Sequence, residues 1–370
     1  MHLWTDLDQV PPGFGPSVVT IGNFDGVHRG HAEVLGRIVS LARESGSQAV
    51  AVTFHPHPAM VHRPEQAPEL LTGIADRLEL LEATGLDAVL LVEYTLDFAR
   101  QSPEEFVRTY LVDGLGARTV VVGHDVRFGR DNAGNLATMI ELGRTHGFEV
   151  RAIDDVGTVG GEPGPASASG DAASTAADAA PSGRWSSTEI RGLLTDGKVR
   201  EAAALLGRHH RLRGVVIHGD ARGRELGFPT ANLGAISGMV PADGVYAGWL
   251  RRPQLLAADP GNCDGVLPAA ISIGTNPTFD GVERRVEAYV LDRTDLDLYD
   301  EEVVLEFVEH LRPTLRFDGI DALVRTMHDD VARARVILAS GARTPARTSP
   351  EPSGPGGPGG VGASTTGAGE

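Results

Sequence analysis

Two histidines three residues apart, His28 and His31, close the stretch Gly22-Asn23-Phe24-Asp25-Gly26-Val27-His28-Arg29-Gly30-His31. At that spacing two imidazoles share one face of a helix's first turn. Backbone N–H groups at a helix start lack partners and sit at the positive end of the dipole, so anions are favoured there. Glycines let a ligand approach the main chain closely. The combination suits the phosphates of a nucleotide, with Gly22, Asn23, Phe24, Gly26, His28 and His31 as candidate contacts. Two imidazoles aimed at a phosphate chain can stabilise charge developing on the α- and β-phosphates as pyrophosphate leaves, which is the chemistry of nucleotidyl transfer. Two plainer readings compete. The histidines could be metal ligands, but nothing nearby supplies a third ligand at a familiar spacing. They could also be solvated polar residues, a reading that the strand–turn–helix context weakens.

Other groups carry similar alternatives. Ser186-x-x-Glu189 fits a capping box; Ser187, Thr188 and Arg191 would also add donors and a fixed positive charge at a helix start, which suits a triphosphate. Asp125, in Val122–Gly129, is either a turn residue or a contact to a second substrate. Thr53–Pro58 reads as a rigid proline turn, with His55 and His57 as candidates for the nucleotide site. The segment Gly192–Val199 comes close to a phosphate-binding loop and holds the chain's only lysine, Lys198. It is rejected, because Val199 lacks the metal-binding hydroxyl and the segment joins two helices. Further along, Gly219–Asn232 is too polar and glycine-rich for core. Thr230 and Asn232 project the same way on an extended segment and offer two neutral oxygens to Mg²⁺, although a plain hairpin loop would look alike. Glu287 alternates with Val286, Ala288 and Val290, so it is either a solvated strand residue or a general base in a pocket.

The elements that must position these residues follow from periodicity. Val18–Gly22, Ala49–Phe54, Ala88–Glu93, Thr119–Gly123 and Phe148–Ile153 read as strands that alternate with helical segments. That order predicts a mostly parallel α/β sheet, and the opening stretch sits at the carboxyl end of its first strand. Val34, Leu35, Ile38 and Leu41 fall at helical spacing, as do Leu78 and Leu81. Ser102-Pro103-Glu104-Glu105 reads as a capped helix start with proline at the first position. Residues 157–183 read as a disordered loop, since their Gly/Ala/Ser/Pro composition offers little apolar surface against ordering entropy. Past a short helix at Arg200–Leu206, the strands Gly214–His218, Val245–Leu250, Ala269–Ile273, Arg285–Leu291 and Val303–Val308 are spaced as in an antiparallel barrel. A closing helix carries the stripe Ile320, Leu323, Val324, Met327 and Val331 behind an Asp318 cap. Residues 342–370 read as a disordered tail, and no internal repeat is found.

Composition sets outer limits. A chain of 370 residues has room for two domains. Its 33 basic and 50 acidic residues, net −17, argue against a nucleic-acid surface. An acidic enzyme that handles polyphosphates is expected to need a divalent cation. Cys263, the single cysteine, rules out an intrachain disulfide framework. No apolar run is long enough to span a bilayer and the first residues lack a signal pattern, so the expectation is a soluble, cytoplasmic protein without a membrane partner. The sequence does not define an oligomeric state.

Taken in order, Gly22–His31, Thr53–Pro58, Val122–Gly129, Ser186–Arg191, Gly214–Leu233, Ile273–Phe279, Val286-Glu287 and Asp297-Leu298-Tyr299 make the chain resemble the prokaryotic bifunctional riboflavin kinase/FAD synthetase family from about residue 14 to 338. The resemblance implies a Rossmann-like α/β nucleotidyltransferase domain followed by an all-β riboflavin kinase barrel with a C-terminal helix. The corresponding division is 1–195 for FMN adenylyltransferase and 196–341 for riboflavin kinase. It implies that ATP and its departing pyrophosphate are held by His28, His31, Ser187, Thr188 and Arg191, with Asn23 near ATP and flavin, and Asp125 and Phe128 on the flavin. In the kinase it implies Glu287 as base toward the ribityl hydroxyl. Thr230 and Asn232 would hold Mg²⁺ with the ATP phosphates, and Gly219, Gly223, Arg224, Gly227 and Pro229 would line the ATP and flavin sites. ATP is then the co-substrate, and riboflavin, FMN and FAD are substrates and products. The sequence departs from the family pattern at Val126 (commonly phenylalanine), Tyr289 (commonly histidine) and Asp300 (commonly glycine). Two alternatives remain at this point: an adenylyltransferase whose barrel only binds flavin, and a non-enzymatic flavin or nucleotide sensor.

Overall fold

The structure, a computed structural model, describes residues 1–153, 185–219, 223, 227–278 and 281–340. The segments read as insert (157–183) and tail (342–370), and Arg224, lie outside the described residues.

The first part is a parallel sheet of β1 (His2–Trp4), β2 (Ser17–Ile21), β3 (Gln48–His55), β4 (Ala88–Glu93), β5 (Ala117–Gly123) and β6 (Glu149–Ile153), in the order β1-β4-β3-β2-β5-β6. Every strand predicted for it is present. β1 was not foreseen, because three residues are too few to show a period. After β2 the chain builds outward through β3 and β4, then returns to the other side of β2 for β5 and β6. The crevice at the carboxyl ends of β2 and β5 is therefore a topological switch point. The central strands are apolar on both faces because both are covered: Val19, Val50, Val52, Val120 and Val122 join one buried cluster and Val18, Ala49, Ala51, Val89 and Val121 another.

Helix α1 (Arg29–Ser45) buries Leu35, Ile38 and Ala42 and ends at Gly46, whose φ of 64° makes a left-handed cap. Next come α2 (Pro58–His62) and α3 (Ile74–Glu82). The predicted box at Ser102 opens α4 (Pro103–Phe106): the Ser102 hydroxyl accepts from Glu105 N at 3.2 Å, and Glu105 accepts from Ser102 N at 2.7 Å. The chain continues as a π-helical stretch, Val107–Gly114, before α5 (Leu136–His146).

Two helices, α6 (Ser187–Thr195) and α7 (Val199–Leu206), lead into β7 (His210–Ile217), β8 (Thr230–Ser237), β9 (Gly244–Arg251), α8 (Pro253–Ala258), β10 (Val266–Thr278), β11 (Gly281–Val290) and β12 (Glu302–Arg312). The strands close an antiparallel barrel in the order β10-β11-β8-β7-β12-β9. Its interior holds Leu233, Tyr246, Ile271, Ala288 and Phe307, and α6 and α7 cover it with Ile190, Leu194, Val199, Ala202 and Leu206. Helix α9 (Ile320–Ala339) covers part of the outer wall, with Val331, Ala334 and Leu338 against Trp249 and Val308. Two expectations about α9 are corrected. Ile320 is 65% exposed, so the apolar stripe begins at Leu323. Asp318 is not the cap: Gly319 holds that position, its carbonyl accepting from Leu323 N at 3.3 Å, and no side chain caps the helix. Asp318 therefore stands one residue too early.

The two parts meet through charge. Arg213 of β7 donates to Asp76 at 2.9 Å, to Glu79 at 2.5 Å and to Glu302 at 2.7 Å, and Asp76 on α3 is almost fully buried.

Candidate active sites

Between β2 and α1 the main chain makes a turn in which Phe24, Gly26 and Val27 have φ of 48°, 78° and 37°. Left-handed backbone is unfavourable for any residue with a Cβ and most of all for β-branched valine, so the turn needs support from outside. The buried Asp25 carboxylate accepts from Leu71 N at 3.1 Å, Thr72 N at 3.2 Å and the Arg191 guanidinium at 2.5 Å. Ser187 donates to the Asp25 carbonyl at 3.0 Å, and Gly26 N donates to Thr72 Oγ1 at 3.2 Å. Arg77, buried on α3, donates to the carbonyls of Asn23 at 2.8 Å and Phe54 at 3.0 Å.

This framework fixes the histidines. His28 caps α1, its Nδ1 accepting from His31 N at 3.4 Å, so a neutral ring carries its proton on Nε2, where it can donate outward. The two rings stack 3.8 Å apart at 20°. Burial, reinforced by the Arg208 charge, lowers the His28 pKa to about 4. Burial, then His28 and Arg208, holds His31 well below the usual histidine range. Both rings are therefore neutral near pH 7. His31 Nδ1 is buried without a hydrogen-bond partner among the described residues.

A cavity of about 440 Å³ opens over this pair, lined by Gly22, Phe24, His28, His31, Asp125 and Ser187 among others. A second, of about 370 Å³, shares Ile21 and Gly22 with it and is walled by Asn23, Phe54, Tyr94, Phe98 and Phe128. Tyr94 and Phe98 pack 5.3 Å apart in this aromatic wall, which suits a planar ring. The structure thus brings Gly22, Phe24, His28, His31 and Ser187 together on one side and Asn23 and Phe128 on the other. Asp125 falls on the histidine side. Thr188 is exposed and lines neither cavity, and Arg191 faces Asp25 and the Glu69 carbonyl. His57 caps α2 by accepting from Ala59 N at 3.2 Å, and His55 is exposed; neither lines these cavities.

On the barrel, register does the positioning. Asn232 of β8 pairs with Glu287 of β11, and Thr230 with Tyr289. Ala231, Leu233, Val286 and Ala288 fill the interior, which leaves Thr230, Asn232 and Glu287 on the outer face, as the alternation predicts. Thr230 Oγ1 donates to Glu287 Oε2 at 3.2 Å. A cavity of about 210 Å³ lies between this wall and α9, lined by Thr230, Glu287, Tyr289, Phe228, Met327 and Val331 among others. On the other side of Thr230 a cavity of about 490 Å³ is bounded by Gly227, Pro229, Arg293 and Tyr299. Gly219 and Gly223 are needed for close approach: a Cβ would stand 2.4 Å from Asn232 Nδ2 and 2.4 Å from the Phe228 carbonyl, respectively. Asp300 has φ of 62°, a conformation that favours glycine and that aspartate tolerates better than most residues. Tyr289 packs edge-on against Phe228 at 5.2 Å, and Val126 lines the aromatic cavity. No group of three or more His, Cys, Asp or Glu among the described residues could hold a metal. The oxygens of Thr230 and Asn232 fit a magnesium ion that arrives with phosphates and keeps part of its water shell.

Sequence reasoning passed over Asp25, Arg77 and Arg208. A short acid between the turn's glycines was a visible sign for Asp25. Nothing local marks the two arginines.

A parallel sheet with a histidine-bearing turn at its switch point, joined to a barrel that sets a carboxylate beside a Thr/Asn pair, defines an ATP-using transferase with two sites. Residues 12–163 match the family model for FAD synthetase and residues 206–338 that for riboflavin kinase. Ser187, Thr188 and Arg191 fall between the two matches. The chain belongs to the bifunctional riboflavin kinase/FMN adenylyltransferase family. It is 35% identical to that enzyme of Pseudomonas fluorescens, over 92% of this chain and 99% of the relative. It is 32% identical to that of Listeria monocytogenes, over 91% and 94%. A crystal structure described as a macrolide-efflux protein from Streptococcus pneumoniae superposes with a TM-score of 0.73 at 29% identity, over 90% of this chain and 98% of that one. No helix among the described residues is long and apolar enough to cross a membrane.

Proposed function

We propose that the two pairs of cavities divide the two reactions of the family between them. The protein phosphorylates riboflavin with ATP to give FMN and ADP, and adenylylates FMN with a second ATP to give FAD and pyrophosphate. One observation carries the division: each part of the fold has two adjoining cavities, which share Ile21 and Gly22 in the first part and Thr230 in the second, and His28 and His31 line one cavity of the first pair as Glu287 lines one of the second. In residues 1–195 an oxygen of the FMN phosphate attacks the α-phosphorus of ATP. The P–O bond to the β-phosphate breaks, and His28 and His31 donate to the phosphate oxygens that gain charge. Gly22, Phe24 and Ser187 shape the nucleotide side and Asn23 and Phe128 the flavin side, while Gly26, which lines neither cavity and packs toward Leu71 and Leu206, sets the turn. Arg191 holds Asp25 and so acts on the site through the turn, while Thr188 is exposed in the first turn of α6.

In residues 196–341 the ribityl 5′-hydroxyl attacks the γ-phosphorus, Glu287 takes the hydroxyl proton and ADP leaves. Thr230 and Asn232 would hold Mg²⁺, which when bound offsets the charge of the ATP phosphates. Thr230 also orients Glu287 through their hydrogen bond. The net charge of −17 speaks against a nucleic-acid partner, and cavities of this size suit small-molecule substrates. A barrel that only binds flavin is not favoured, because its whole length matches riboflavin kinase.

Purified protein given riboflavin, ATP and Mg²⁺ is expected to form both FMN and FAD, read by chromatography. His28→Ala with His31→Ala should stop FAD formation and spare FMN formation. Loss of both products in that variant would contradict separate sites.

A further inference from the structure

Arg208 lies between α7 and β7, inside the segment that matches riboflavin kinase, yet its guanidinium reaches the turn of the other site. Nη1 donates to the Val27 carbonyl at 3.0 Å and to that of Leu206 at 3.3 Å; Nη2 donates to the Gly26 carbonyl. These two turn carbonyls immediately precede His28, and their residues have left-handed backbone, with φ of 78° at Gly26 and 37° at Val27. Such a conformation persists only where the surroundings over-determine it. The supports described above act on Asn23, Asp25 and the Gly26 N–H; Arg208 acts on the last two peptide carbonyls before the helix. If they turn, the entry of α1 turns, and with it the cap that His28 makes to His31.

We propose that Arg208 is a positioning residue for adenylyl transfer: the kinase-family segment supplies the clamp that sets the anion-binding turn, so the FMN adenylyltransferase site is complete only with the barrel's first strand in place. This rests on reading the histidine cavity as the ATP site. The ligand it serves is a nucleoside triphosphate, and Arg208 acts on it through the peptide groups of the turn and the aim of the two imidazoles. The bond between Leu206 and the same guanidinium ties the clamp to the end of α7, so its reach is fixed by an element packed on the barrel core.

The test uses the full chain with Arg208→Met and Arg208→Lys, alongside His28→Ala. Steady-state rates are measured for FMN formation from riboflavin and for FAD formation from supplied FMN, with ATP and FMN varied in turn. For Arg208→Met, kcat/KM for ATP in FAD formation should fall at least 10-fold, while KM for FMN and the rate of FMN formation stay within twofold. Arg208→Lys, which can still donate to both carbonyls, should recover at least threefold over methionine. FAD formation within twofold of wild type in Arg208→Met, when His28→Ala has lost it, overturns the inference. So does equal loss of both activities, which would assign Arg208 to folding. FAD formation at the wild-type rate in His28→Ala would instead overturn the ATP-site reading on which the inference rests.

Discussion

Acidification from pH 8 to pH 5 should destabilise this protein through His28 and His31, and replacing both with asparagine should remove that part of the loss. The pKa of His28 is about 4 in the folded chain, against 6.5 for an unperturbed histidine. Between these values the unfolded chain binds a proton that the folded chain refuses, so stability is intact above pH 6.5 and falls as pH drops toward 4. At pH 5 an unfolded imidazole is about 97% protonated and the folded His28 about 9%, which amounts to about 2 kcal/mol lost from His28 alone. The full shift is worth about 3 kcal/mol. His31 acts in the same direction. His210, also lowered to about 4 by burial, is present in both proteins and cancels in the comparison. Urea unfolding at several pH values, followed by fluorescence, gives the two stability curves. The wild-type curve should fall by at least about 2 kcal/mol more than that of the double variant. ATP provides an independent check, because a triphosphate near the rings favours their charged form. Binding near pH 6 should therefore take up protons, seen calorimetrically as a heat that depends on the buffer. Parallel stability curves for the two proteins would refute the burial of two neutral imidazoles at this turn.

Glu287→Gln should cut FMN formation by about 10²–10⁴-fold, the usual worth of a general base, and leave FAD formation from supplied FMN unchanged; equal loss of both activities would remove Glu287 from its assigned role. Asp25→Asn breaks a buried ion pair and leaves at most one carbonyl oxygen for two N–H donors, so the variant should lose about 3–5 kcal/mol and its FAD activity. A loss below about 1 kcal/mol in urea unfolding, less than a single net hydrogen bond is often worth, would argue against Asp25 as the anchor of the turn. Gly219→Ala should push aside the Asn232 amide, which a new Cβ would meet at 2.4 Å. Its FMN formation should fall while stability changes little, and a wild-type rate would show that Asn232 is not needed in its present place.

What the sequence by itself determined was local. The runs Val18–Gly22 and Ala88–Glu93 are strands because successive apolar residues meet two covered faces, and Ser102-Pro103-Glu104-Glu105 caps a helix from residues three apart. The passage of Gly22–His31 from strand through turn to helix was legible in the same local way, and the outward face of Glu287 followed from period-two alternation. Tertiary structure decided what those features meet. The strand β8, of which only Thr230 and Asn232 were read as extended, is made by pairing with β7 and β11. Asp125 falls on the histidine side of the crevice, and Ile320 is left in solvent by the way α9 lies on the barrel. The supports of the turn come from afar: Arg191 reaches Asp25 across 166 positions and Arg208 reaches Gly26 across 182. Local spacing reports which face a side chain occupies within its own element. The partner of a buried charge depends on how distant elements are brought together, and only the folded chain contains that arrangement.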